Sequence, residues 1–103
     1  MSAKDYGREA FAAAANHIAT STESLRVRLK EAIVRNLMEL HPENLPDGMW
    51  RDFSAILDRL SRSKPRDDEG TVEASLRHMT DNELEEIAKK LSSLCQRVAS
   101  SPA

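Results

Sequence analysis

With 103 residues, 40% hydrophobic and 31% charged, the chain holds enough apolar material for one domain with a single modest core, and no second domain is expected. Its formal charge of -2 gives no overall field that would draw it to nucleic acid or an anionic membrane, which leaves only a local basic patch for such a partner. No apolar run approaches the roughly 20 residues that span a bilayer, and the single cysteine, Cys95, excludes an intramolecular disulfide and a multi-cysteine metal knuckle.

Residues 1–21 read as an Ala-rich helix or flexible arm, with Tyr6, Phe11, Ala14 and Ile18 in one sector. Gly7 weakens its first turn, and small Ala side chains bury little area, so this segment frays unless it docks on a neighbour. Asp5 and Glu9 precede the Ala run, and Asn16 and His17 interrupt it, which argues against a signal peptide and for the cytoplasm.

The main domain is expected over 22–99, beginning with a central helix at 22–41 that Ser21 or Thr22 caps. Leu25, Leu29, Ile33, Leu37 and Leu40 fall on one face, and Val27, Val34 and Met38 gather on a neighbouring one. An apolar arc this wide predicts a helix covered from two sides, as at the centre of a bundle. Arg26 and Lys30 interrupt the arc, where their methylenes can lie on apolar neighbours while the charges reach water. Pro42 stops the helix at His41, because proline disfavours helical backbone in the residue before it.

Pro46 is placed to open a helix at 46–62, on which Met49, Trp50, Phe53, Ile56, Leu57 and Leu60 share an arc. Residues 61–70 contain no apolar side chain and read as an exposed connection, in which Arg62, Lys64 and Arg66 precede Asp67, Asp68 and Glu69. Thr71 is expected to cap a short helix at 71–79, with Val72, Leu76 and Met79 on one face. Thr80 and Glu83 form an S/T-x-x-E capping box that opens a helix at 80–99, along which Leu84, Ile87, Leu91, Leu94 and Val98 recur at three- and four-residue steps. Residues 100–103 are expected as a loose tail.

The fold class is therefore an all-α small helical bundle, with three main helices, a short helix and a weaker N-terminal helix. Its chemistry is sparse. His17, His41 and His78 lie in three different segments, so no local metal motif exists. Cys95 borders an apolar face, where a free cysteine serves as packing. Dispersed glycines make no phosphate-binding loop, and Glu83, Glu85 and Glu86 lack an evident apolar cleft for acid/base work. No cofactor is expected.

The stretch 79–98 resembles the helix-turn-helix of bacterial regulators, a resemblance that implies a first helix capped by Thr80, a turn at Ser92 and Ser93, and Gln96 and Arg97 near DNA. It lacks a turn glycine, and its apolar spacing runs unbroken from Leu91 to Leu94, so a single helix accounts for more residues. The sequence fits best a non-enzymatic intracellular interaction or regulatory module that binds a protein partner or a second copy of itself. Val27, Val34, Met38 and the arm residues Lys64, Arg66, Asp67, Asp68 and Glu69 are the candidate contacts. A DNA-associated regulator using Arg62, Lys64, Arg66, Lys89, Lys90 and Arg97 is the alternative, and a small-molecule or catalytic bundle assembled from distant His, Cys and Glu residues is a third class.

Overall fold

Ser2 opens the first helix, because its hydroxyl accepts from the Asp5 amide while the Asp5 carboxylate accepts from the Ser2 amide. This helix, α1 (Ala3–Thr20), begins a chain of five α-helices in the computed structural model, which describes residues 2–66 and 70–101. The others are α2 (Leu25–Asn36), α3 (Met49–Arg59), α4 (Thr71–Arg77) and α5 (Asp81–Ser100), with a 3-10 turn at Pro42–Asn44. No strand occurs among the described residues, so the expected all-α bundle is the observed fold.

α1 is docked rather than frayed. Phe11 and Ala14 are fully enclosed, and the Phe11 ring meets Phe53 of α3 edge-on at 5.4 Å. Trp50 adds a second edge contact to Phe53 at 5.6 Å. The two phenylalanines supply the large buried areas that the alanines of α1 cannot.

Gly7, which weakens the helix as an isolated segment, is the point where α1 approaches the 3-10 turn. A Cβ there would lie 1.9 Å from the Asn44 carbonyl oxygen, so only glycine lets the two backbones come this close. Asn44 itself is buried, donating from Nδ2 to the Ala3 carbonyl at 2.8 Å and accepting from the His41 amide at 2.7 Å. One side chain thus joins the start of α1 to the end of the α2 segment.

The central helix is shorter at both ends than its apolar pattern. Ser24, not Ser21 or Thr22, caps α2 by accepting from the Val27 amide, since Ser21 closes α1 by donating its amide to the His17 carbonyl. At the other end the helix stops at Asn36, five residues before His41. Pro42 holds His41 extended, and the intervening turns carry Leu37 and Leu40 into the core. α2 packs against α1, α4 and α5, as its wide apolar arc predicts.

α3 begins at Met49 rather than Pro46, after Gly48 at φ +84°, a conformation that L side chains rarely adopt. It ends at Arg59, three residues before the expected 62. Gly70, not Thr71, occupies the cap position of α4, and Thr71 is its first helical residue; α4 ends at Arg77 rather than Met79. α5 starts as expected: the Thr80 hydroxyl accepts from the Glu83 amide at 3.2 Å, and the Glu83 carboxylate accepts from the Thr80 amide at 3.1 Å. Leu84, Ile87, Leu91, Leu94 and Val98 are all buried along it.

Three arginines join these helices at their carbonyl ends. Arg8 donates to the Ser101 carbonyl beyond α5, Arg28 to the Ile18 carbonyl of α1, and Arg26 to the Leu76 and Met79 carbonyls at the end of α4. The last carbonyls of a helix lack intrahelical partners and carry partial negative charge, so a guanidinium from a neighbouring helix satisfies both needs. Arg26, read as a snorkelling residue, is a clamp between α2 and α4.

Candidate functional site

The apolar face named from the sequence divides in two. Val27 is half-buried beside α4, where Lys30 of α2 meets Glu73 at 3.4 Å. Val34 and Met38 remain 46% and 49% exposed on the outer side of α2 and the turn that follows it. Met38 borders a shallow depression of about 220 Å³ shared with Leu57, Leu60 and Val72. Among the described residues, these two and Tyr6 are the large apolar side chains that the fold leaves exposed.

Of the charged arm, Lys64 and Arg66 are exposed before α4, while Asp67, Asp68 and Glu69 lie outside the described residues. Arg62 and Lys64 belong to this connection, whereas Lys89, Lys90 and Arg97 stand on α5, so the basic residues of the DNA-associated reading come from separate elements. α5 runs without interruption through Ser92 and Ser93, and the turn that a helix-turn-helix requires is absent from it.

A larger trough runs between α3 and α5. The two helices are antiparallel: Asp52, near the start of α3, meets Arg97, near the end of α5, at 2.7 Å, while Arg59 at the end of α3 meets Glu83 at 3.0 Å and Glu86 at 3.8 Å. These pairs close the two ends. Between them lies a volume of about 510 Å³ over Ile56, Ile87 and Leu94, bordered by Ala55, Ser93 and Lys89. The buried aliphatics were legible as core, but the pairing that sets Ala55 near Ser93 joins positions far apart in the chain.

Electrostatics at the trough are those of ion pairs. Hydrogen bonds from the Thr80 backbone and hydroxyl, followed by the Arg59 guanidinium, hold the Glu83 carboxyl below its ordinary value. This carboxylate is therefore a structural anion at neutral pH. Burial has the opposite effect on Cys95, whose thiol is pushed up to about 11 by loss of solvation for the thiolate. His17 of α1 places Nε2 3.5 Å from a Glu31 oxygen of α2, whereas His41 flanks the 3-10 turn and His78 ends α4. No group of three His, Cys, Asp or Glu side chains suited to a metal ion occurs among the described residues, and no described helix is long and apolar enough to cross a membrane.

No family model, curated protein or solved structure matches the chain, so its functional reading rests on this geometry.

Proposed function

We propose that the chain is a non-enzymatic helical interaction or regulatory module whose contact surface is the outer side of α2 and whose partner there is a second copy of the chain. The observation that carries this reading is the exposure of Val34 and Met38, at 46% and 49%, in a fold whose other large aliphatic side chains are at least partly covered among the described residues. A two-fold pairing lets one patch cover its own equivalent, which needs no second complementary surface. Two half-exposed side chains per protomer support a weak, concentration-dependent dimer rather than an obligate one. The protonated, buried Cys95 suits packing rather than nucleophilic chemistry, and a chain whose single cysteine needs no disulfide fits the cytoplasm.

Sedimentation velocity from low micromolar to near-millimolar protein tests the proposal. The mass should rise with concentration for the native chain and stay monomeric for Val34→Asp and Met38→Asp, with unchanged helical circular dichroism in both variants. A monomeric mass across the whole range would overturn self-association. Salt-sensitive retention on duplex DNA, reduced by Lys89→Glu and Arg97→Glu, would move the DNA-associated reading ahead of it.

A further inference from the structure

The trough between α3 and α5 lies apart from the α2 surface and does not depend on it. We propose that this trough is a binding site for a small amphipathic carboxylate, with the apolar body on Ile56, Ile87 and Leu94 and the carboxylate at Lys89. The size is appropriate, since small-molecule sites occupy roughly 300 to 1,000 Å³, and this trough holds about 510 Å³ where three other depressions hold about 190 to 220 Å³.

Its shape selects a short occupant. Asp52–Arg97 and Arg59–Glu83 bridge the two helices at either end. From Asp52 to Arg59 is seven residues, or roughly 10 Å along the axis at 1.5 Å per residue. A long helix or extended peptide would have to ride over these bridges or break them, whereas a medium-length acyl or aryl carboxylate fits between them. Ala55 and Ser93 keep the opening clear because neither side chain reaches across it.

Its charge selects the end group. Arg97 is paired with Asp52, Arg59 with Glu83 and Glu86, and Lys90 with Glu86, so the cations of the lining are largely neutralised. Lys89 is the exception. It borders the trough and has no acidic partner among the described residues. An apolar floor with one uncompensated ammonium at its edge matches a molecule with a hydrocarbon body and a single anionic end.

The test is a titration of the ¹⁵N-labelled chain with sodium octanoate, kept below micelle formation, and read by amide chemical shifts. Saturable shifts should centre on 55–59 and 87–94. Octanol should bind about two- to fivefold more weakly, and Lys89→Glu should reduce octanoate binding by at least as much, the range expected of an exposed ion pair. Ala55→Trp, at an exposed position, should fill the trough and weaken binding more than tenfold while leaving the circular dichroism unchanged. Absence of saturable shifts, shifts spread over the whole surface, or undiminished binding by Ala55→Trp would overturn the site. Equal affinity for octanol and octanoate would overturn the role of Lys89. The same variants should retain the native self-association curve, so each proposal can fail without the other.

Discussion

Replacing Gly7 by alanine should stabilise α1 as a peptide and destabilise the protein. In an exposed helix interior the change is worth about 1 kcal/mol in favour of the helix, because glycine loses more backbone entropy. In the folded chain the new methyl would sit 1.9 Å from the Asn44 carbonyl oxygen and 2.9 Å from its carbon. Both are backbone atoms that no rotamer change can move. Restoring an ordinary carbon–oxygen separation of about 3.3 Å requires the two segments to part by roughly 1.4 Å. That displacement strains the Asn44 bond to the Ala3 carbonyl, now 2.8 Å, and loosens the packing around the turn. Overpacking costs about 1 to 3 kcal/mol and an unsatisfied buried amide a similar amount, so the net effect after the propensity gain is a loss of about 1 to 5 kcal/mol, centred on ~3 kcal/mol. Urea unfolding followed by circular dichroism should show a midpoint lower by roughly 1 to 2 M for Gly7→Ala. A peptide covering 1–21 should gain helicity from the same substitution. A stabilised protein would refute the close approach of α1 and the 3-10 turn.

Two further predictions address the polar joints. Arg26→Lys retains the charge but cannot span the Leu76 and Met79 carbonyls as a guanidinium does, so α4 should loosen by about 1 kcal/mol. Hydrogen exchange should then accelerate several-fold in α4 with α5 unaffected, and a uniform change along the chain would contradict the clamp. Glu83 has a folded-state pKa lowered from 4.5, so its ionised form stabilises the fold above that value, and the contribution is lost as pH falls through the lowered pKa. The stability difference between the native chain and Glu83→Gln should be constant at neutral pH and shrink in acid. Thermal melts that keep the difference undiminished in strong acid would refute the assignment.

The sequence determined the elements whose signals are local. Thr80 and Glu83 are close enough along the chain to cap each other's backbone, and the three- and four-residue steps from Leu84 to Val98 fix the buried face of α5, so both appear in the fold as read. The arc of Met49, Phe53, Ile56 and Leu60 likewise marked the buried side of α3. Boundaries were less legible where a tertiary demand competed: the apolar pattern of the central helix continues to Leu40, but the chain leaves the helix after Asn36 to bury Leu37 and Leu40 ahead of the extended His41.

Tertiary structure alone decided what depends on pairs distant in the chain. Gly7 reads as a weak helix residue until Asn44 is set against it, and Arg26 reads as a surface cation until the end of α4 arrives beneath its guanidinium. Val27 and Val34 share a helical face in the sequence, yet α4 partly covers the first and leaves the second exposed. The trough exists only because α3 and α5 run antiparallel with ion pairs at both ends. Periodicity is a property of one segment and specifies which side is apolar; which neighbour covers that side, and what remains open, is fixed by packing between segments.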